Sequence, residues 1–186
     1  MATSEILNRA ATRPTWAEVS LANLRHNFRV LREHLGAGVT TCAVVKADAY
    51  GHGADECALA LQQEGATWFG VTSLDEAIPL RDAGVSGDIL LMTGFWRGEE
   101  EEIVHLRLAT TVWEASQIQL LEKAAARLDS QAHIHLKVDT GMGRLGADVD
   151  NLPALCSALK SATHLVFEGL STHLASSEIL DEPSVE

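Results

Sequence analysis

Hydrophobic and polar positions along the chain switch repeatedly between a spacing typical of strands and a spacing typical of helices. Short apolar or alternating runs predict seven strands, at residues 16–19, 41–46, 68–72, 88–92, 110–113, 133–139 and 166–172. The first helical stretch carries apolar residues three or four positions apart, which predicts one buried helix face. The residues of this predicted face are Leu21, Leu24, Phe28, Leu31 and Leu35.

Local sequence patterns predict where two further helices begin and end. Ser73 and Glu76 have the spacing of a capping box, and Gly84 suits a left-handed stop at the end of the same helix. Pro79 lies inside that helix, so we expect a kink or an early break there. The acidic run 99–102 suits the positive end of the next helix, where we expect a solvated face.

Strands that alternate with helices predict parallel strands joined by crossover helices, an α/β fold. Both an open doubly wound sheet and a (β/α) barrel fit this order. No Gly-x-Gly-x-x-Gly pattern follows the first strand, which disfavours a dinucleotide-binding fold. A complete (β/α)8 barrel takes roughly 250 residues. Since the chain has 186 residues, we expect any barrel formed by it to be incomplete.

Composition and charge narrow the classes of partner. The formal net charge of −12 disfavours nucleic acids and anionic membranes as partners. No apolar run is long enough for a membrane span, and residues 1–14 lack the pattern of a signal peptide. Three widely spaced cysteines, Cys42, Cys57 and Cys156, predict no disulfide framework and suit a cytoplasmic protein. We expect residues 1–14 to be a flexible terminus and residues 175–186 to be a loop.

Residues 44–53 read Val-Val-Lys-Ala-Asp-Ala-Tyr-Gly-His-Gly and form the first candidate site. Lys46 lies at the carboxyl end of an apolar strand, which is the active-site end in a barrel. Partial desolvation there favours a nucleophilic amine that attacks an aldehyde. Tyr50 follows, and two glycines permit a tight turn. A lysine that reaches from a strand end into solvent would explain Lys46 alone, but not the whole string.

Residues 133–146 and 169–176 form the second and third candidate sites. Alternation places four polar side chains on one face of the predicted strand: His133, His135, Lys137 and Asp139. A polar face on a central strand suits the interior of a barrel near an active site. The glycine-rich stretch that follows forms a loop that carries Arg144, and His173 follows the last predicted strand.

These strings resemble alanine racemases, and the resemblance runs over residues 15–177. It implies an incomplete TIM-type (β/α)8 barrel in residues 15–186, with about six barrel strands and without the family's carboxyl-terminal β domain. The family's first short strand, here residues 16–19, belongs with that second domain. The implied enzyme is a cytoplasmic homodimeric isomerase that interconverts L-alanine and D-alanine with pyridoxal phosphate and supplies D-alanine for cell-wall biosynthesis.

The resemblance also implies a role for each candidate residue. Lys46 is the catalytic lysine that holds pyridoxal phosphate covalently, Tyr50 binds its phosphate, and His173 packs against its ring. Lys137 is carbamylated and positions Arg144, which lies near the substrate carboxylate and a cofactor oxygen. In the family, a tyrosine of the second domain serves the opposite face of the substrate. No residue matches it here, so residues 1–186 alone are expected to be inactive.

Three other functions remain open at this point. One is a non-catalytic pyridoxal-phosphate-binding barrel protein, and another is a racemase of a different amino acid on the same fold. The third is a metal-dependent hydrolase, because His133 and His135 have a ligand-like spacing. Hydrogen-bonded histidines in a barrel interior explain this spacing equally well, so we assign no metal ligand.

Overall fold

A computed structural model describes residues 15–177. Its strands are β1 (Cys42–Val44), β2 (Trp68–Val71), β3 (Asp88–Leu91), β4 (Ala109–Val112), β5 (Ala132–Lys137) and β6 (Leu165–Ser171). Its helices are α1 (Leu21–Leu35), α2 (Ala54–Gln63), α3 (Leu74–Asp82), α4 (Glu100–His105), α5 (Ala115–Arg127) and α6 (Leu152–Ser161). A left-handed turn, Lys46–Gly51, follows β1, and a 3-10 turn, Val149–Asn151, precedes α6. The terminus predicted at 1–14 and most of the predicted tail lie outside the described residues.

The described strands form one parallel sheet in the order β1-β2-β3-β4-β5-β6. Parallel crossovers are almost always right-handed, so a strand order that never reverses places every crossover helix on the same face. A doubly wound sheet needs a reversal and is excluded. The incomplete (β/α) barrel with six strands is confirmed. No helix among residues 15–177 is long and apolar enough to cross a membrane.

The core lies between the sheet and its helices. Strand side chains that point toward the helices are fully buried: Phe69, Val71, Ile89, Leu91, Val112 and Ile134. They join buried side chains from three of the helices: Leu80, Ile103, Ile118 and Leu121. Each such burial contributes roughly 1.5–3 kcal/mol. The opposite face, which corresponds to a barrel interior, is only half-buried at Trp68, Leu90 and His135.

Residues 16–19 are not a strand, contrary to the prediction. The chain has no regular structure there, and Trp16 is 77% exposed. A strand exists only when a neighbouring backbone pairs with its N–H and C=O groups, and no strand among residues 15–177 lies beside this segment. The six other predicted strands are present, with no end shifted by more than two residues.

The predicted apolar face of α1 is correct only in its first half. Phe28 is buried, whereas Leu31 and Leu35 are 58% and 44% exposed. The side chains of Arg29 and Arg32 bind Glu64, the C-cap residue directly after α2. The later leucines of α1 therefore lie where α2 no longer covers them.

The start of α3 differs from the predicted capping box. Ser73 precedes the helix, but its side chain caps no helix N–H, and Glu76 binds other groups described below. The helix continues through Pro79 and ends only at Asp82. Proline removes only the hydrogen bond that its own nitrogen would donate to the carbonyl four residues earlier, at Asp75, so the remaining residues of this short helix keep their helical geometry. The left-handed Gly84 is confirmed, with φ of +95°.

The acidic run at the start of α4 is only in part the solvated face that we expected, since Glu101 and Glu102 are exposed. Glu100 is only 7% exposed, and one of its carboxylate oxygens accepts a hydrogen bond from the Gly98 N–H at 2.9 Å. Glu99 binds the Trp96 N–H at 2.8 Å. Two of these carboxylates therefore shape the preceding loop.

Candidate active site

The predicted site residues lie along one edge of the sheet. Because all strands are parallel, their carboxyl ends meet at this edge, which is where barrel enzymes carry their active sites. Lys46 lies two residues beyond β1, Lys137 ends β5, and His173 lies two residues beyond β6. Since β1 and β6 are the two outer strands, the structure forms two groups. One contains Lys46 and Tyr50, and the other contains Lys137, Arg144 and His173.

The segment that carries Lys46 has an unusual backbone. Residues 47–50 have φ between 50° and 57° and ψ between 35° and 49°, so four consecutive non-glycine residues are left-handed. This conformation costs an L-residue roughly 1–2 kcal/mol, and residues other than glycine adopt it as single exceptions. The turn therefore needs contacts that hold it in place.

Several of these contacts come from within the segment. The Ala49 N–H donates to the Val45 carbonyl at 2.8 Å. The Asp48 carboxylate accepts from the Ala54 N–H at 2.7 Å, which satisfies a free donor at the start of α2. The His52 ring donates from Nδ1 to the Ala49 carbonyl at 2.7 Å. His52 thus helps to shape this loop.

Glu76 on α3 supplies a contact from outside the segment. Its Oε1 accepts from the Ala47 N–H at 2.7 Å. Its Oε2 accepts from the Thr72 N–H at 2.7 Å and from the Thr72 hydroxyl at 2.8 Å. Burial alone would raise the pKa of the Glu76 carboxyl, but the donors from Thr72 and Ala47 outweigh it and lower the pKa. The sequence pattern did not reveal this role, since it suggested only a helix cap.

Lys46 and Tyr50 extend from the turn toward each other. The Lys46 Nζ lies 5.9 Å from the centroid of the Tyr50 ring, a cation–π distance. Lys46 is half-buried and Tyr50 is 61% exposed. A primary amine and a phenol are therefore close together on the edge where a ligand can reach both.

Lys137 is buried at the end of β5, with 9% of its surface exposed. Burial lowers the pKa of its amine, and the Arg144 guanidinium lowers it further, while Asp139 acts in the opposite direction. Compared with an ordinary lysine, Lys137 is more readily present as the neutral amine. The Arg144 guanidinium is therefore near enough to influence the pKa of the Lys137 amine.

The loop that carries Arg144 is closed by backbone hydrogen bonds. The Ala147 N–H donates to the Lys137 carbonyl at 2.7 Å, and the Asp139 N–H donates to the Ala147 carbonyl at 3.0 Å. The Asp139 carboxylate accepts from the N–H groups of Gly141 and Gly143, each at 3.0 Å. The amides of Gly143 and Gly141 also lower the pKa of Asp139. These hydrogen bonds fix the conformation of the loop that carries Arg144.

The two histidines of β5 share one carboxylate, that of Glu168. His133 Nδ1 lies 2.6 Å from Glu168 Oε1, and His135 Nε2 lies 3.6 Å from Glu168 Oε2. Burial lowers the pKa of His135, and Glu168 offsets only part of this effect. Glu168 is the extra residue of a β-bulge between β5 and β6, so strand periodicity could not indicate its partner. Among residues 15–177, no group of three or more His, Cys, Asp or Glu side chains is placed to hold a metal ion.

His173 is exposed just beyond β6, on the same edge. Its neighbour Thr172 shares a hydroxyl–hydroxyl hydrogen bond of 2.7 Å with Thr140, in the loop after β5. This bond ties the segment that carries His173 to the loop that carries Arg144. His173 is thus brought into the Lys137 group through its backbone neighbours.

Comparison with known sequences identifies the family to which these motifs belong. Residues 19–186 match the family described as alanine racemase, N-terminal domain. An alanine racemase of Geobacter sulfurreducens is 44% identical over 171 residues, which cover 92% of this chain and 45% of that protein. One of Sorangium cellulosum is 45% identical over 177 residues, which cover 91% and 46%. The chain thus spans about half the length of the curated relatives that it matches.

Solved structures show the same likeness. Alanine racemase of Clostridium difficile 630, in complex with cycloserine, superposes with a TM-score of 0.85 at 32% identity, covering 91% of this chain and 47% of that one. A histidine racemase of Leuconostoc mesenteroides reaches a TM-score of 0.81 at 27% identity, covering 90% and 45%. The family match covers 168 of the 186 residues, and the six parallel strands form the expected part of the barrel. The chain therefore belongs to the alanine racemase amino-terminal domain family.

Proposed function

We propose that this chain supplies the amino-terminal barrel, residues 15–186, of a pyridoxal-phosphate-dependent alanine racemase. The observation that carries the proposal is the pair formed by Lys46 and Tyr50 on a left-handed turn at the carboxyl edge of the sheet. The relatives named alanine racemase support alanine as the substrate and isomerisation as the reaction. Such an enzyme supplies D-alanine for cell-wall biosynthesis.

The side chains at this edge fit pyridoxal phosphate. An amine suits its aldehyde and a phenol hydroxyl suits its phosphate, and Lys46 and Tyr50 lie together. Two further side chains lie at the β5–β6 end of the same edge. The imidazole of His173 would pack against the cofactor ring, and the guanidinium of Arg144 would bind an oxygen on that ring. When bound, the cofactor withdraws electrons from the substrate's α-carbon and so weakens its C–H bond.

Racemisation needs a proton acceptor and donor on each face of the α-carbon. We assign one face to the Lys46 amine, which can remove or return the proton there. The Arg144 guanidinium would bind the substrate carboxylate, a charge-assisted pairing that orients the substrate. Tyr50 is the one tyrosine among the 186 residues and is assigned to the phosphate. We therefore propose that the opposite-face base comes from polypeptide outside these residues, in a cytoplasmic homodimer.

Lys137 is proposed to carry a carbamate. Its lowered pKa favours the neutral amine, which attacks carbon dioxide to form an N–C bond and releases one proton. The resulting anion would attract and orient the Arg144 guanidinium, which a cationic lysine would repel.

With isotopically labelled bicarbonate, we expect a carbamate carbon signal in the NMR spectrum of the wild-type protein. The signal should disappear in Lys137→Ala, because the attacking amine is gone. It should remain in Lys160→Ala, which removes an exposed lysine of α6. An unchanged signal in Lys137→Ala would rule out this modification site.

The proposed function is tested by trapping the cofactor and by following alanine. After incubation with pyridoxal phosphate and reduction by borohydride, peptide mapping should find the label on Lys46. A label on Lys137, or one spread over surface lysines, would contradict the assignment. The native protein should also interconvert the two enantiomers of alanine, followed by chiral chromatography.

A racemase of another amino acid is the second candidate, because a histidine racemase shares the fold at 27% identity. Comparing kcat/KM for alanine, histidine and lysine separates the two. A preference for any other amino acid over alanine would overturn the assigned substrate. Cofactor binding without turnover of any of them would instead support a non-catalytic barrel protein.

A further inference from the structure

We propose that Glu76 is a positioning residue for Lys46. Its ionised carboxylate holds the left-handed turn in the shape that presents the Lys46 amine and the Tyr50 hydroxyl to the cofactor. This inference rests on the proposed function, because it assigns Lys46 to pyridoxal phosphate. Glu76 acts through the turn, because both of its carboxylate oxygens are bound by Ala47 and Thr72.

One carboxylate joins two strand ends here. Oε1 binds the N–H of Ala47, the residue directly after Lys46 and the first left-handed residue of the turn. Oε2 binds the backbone and side chain of Thr72, which follows β2. Glu76 thus fixes where the turn departs from β1 relative to the neighbouring strand. A change at this point would alter the direction of the Lys46 side chain.

The geometry differs from that of an ordinary helix cap. In a capping box, the glutamate reaches back only to the backbone N–H of the N-cap residue, which here is Ser73. The Ser73 amide does contribute to the lowered pKa of Glu76, but Glu76 also accepts a hydrogen bond from the N–H of Ala47, which is 29 residues earlier in the chain. Hydrogen bonds from Thr72 and Ala47 outweigh burial and lower the pKa of its carboxyl, so the group is anionic and a strong acceptor at neutral pH.

Glu122 on α5 provides a matched control within the same chain. Its Oε1 accepts from the Thr163 N–H at 3.0 Å, and its Oε2 accepts from the His164 N–H at 2.9 Å. It also binds the Thr163 hydroxyl at 3.2 Å. Both glutamates therefore bind backbone amides of two residues and one threonine hydroxyl, and Glu122 in addition lies 3.0 Å from Nδ1 of His164. Glu122, however, lies at the amino-terminal end of β6, at the edge opposite Lys46.

The experiment compares Glu76→Gln and Glu76→Ala with Glu122→Gln and Glu122→Ala in the native protein. For each variant, the dissociation constant for pyridoxal phosphate is measured by absorbance titration, and the melting temperature is measured without the cofactor. We expect Glu76→Ala to weaken cofactor binding by roughly tenfold to a hundredfold, since hydrogen bonds to a charged group are lost. Glu76→Gln keeps one acceptor oxygen and should weaken binding less.

Both Glu122 variants should bind the cofactor within about threefold of the wild type, although they lose comparable stability. Equal effects of Glu76→Gln and Glu122→Gln on cofactor binding would overturn the inference. If an alanine variant fails to fold, these two glutamine variants alone decide the question. If the wild-type protein forms no borohydride-stable link at Lys46, the proposed function fails instead. A wild-type link with no selective effect of Glu76 refutes the positioning role alone.

Discussion

Replacing Lys46 by alanine in the native protein, with the polypeptide that supplies the opposite-face base present, is expected to reduce alanine racemisation to the background rate, a loss of about 10⁴-fold or more. The variant loses the amine that holds the cofactor and, with it, the base on one face of the substrate. Loss of a positioned acid–base group alone costs typically 10²–10⁴-fold. Initial rates with L- and D-alanine, measured at saturating pyridoxal phosphate, provide the comparison.

Lys160→Ala is the control for this experiment, since it removes an exposed lysine of α6 and leaves the turn intact. It should keep the wild-type rate. If Lys46→Ala racemises alanine within about tenfold of the wild type, a different residue holds the cofactor, and the Lys46 turn has another role.

Gly146→Ala is expected to destabilise the protein and to impair substrate binding. A Cβ atom at this position would lie 2.4 Å from the Asp139 nitrogen and 2.7 Å from the Val138 carbonyl carbon, and φ is +139°. Both clashing atoms belong to the backbone, so no side chain can move aside. Overpacking and backbone strain together cost about 3 kcal/mol. A thermal melt should therefore show the melting temperature falling by about 6–12 °C.

The same substitution should raise KM for alanine, because the clash displaces the loop that carries Arg144. Gly143→Ala is the matched control in this loop. Its φ of +67° is also left-handed, but a Cβ there meets nothing within 4 Å. It should cost only about 1 kcal/mol. Similar melting temperatures for the two variants would show that the loop adapts to the clash.

Much of the fold and the positions of the candidate residues could be predicted from the sequence. Apolar periodicity is a property of each segment, so it located six of the strands without any knowledge of their neighbours. Alternation along β5 correctly placed His133, His135 and Lys137 on one face. The strings around Lys46 and Arg144 indicated the family, which the comparisons confirmed.

The contacts that hold the candidate site could not be predicted in this way. Glu76 has the spacing of a helix cap, and nothing local distinguishes that role from its contact with Ala47. Glu168 reaches both histidines through a bulge that interrupts the strand periodicity. Leu31 follows the helical pattern of a buried face and is nevertheless 58% exposed.

The sequence by itself determined the order of strands and helices, the family, and which lysines lie at the carboxyl ends of the first and fifth strands, Lys46 just beyond β1 and Lys137 as the last residue of β5. These properties follow from side-chain periodicity and from short motifs, which are encoded within single segments. Only the tertiary structure decided that Glu76 meets the left-handed turn and that Glu168 meets the two histidines of β5. Such contacts depend on strand pairing and loop closure, which bring together residues that no local pattern connects.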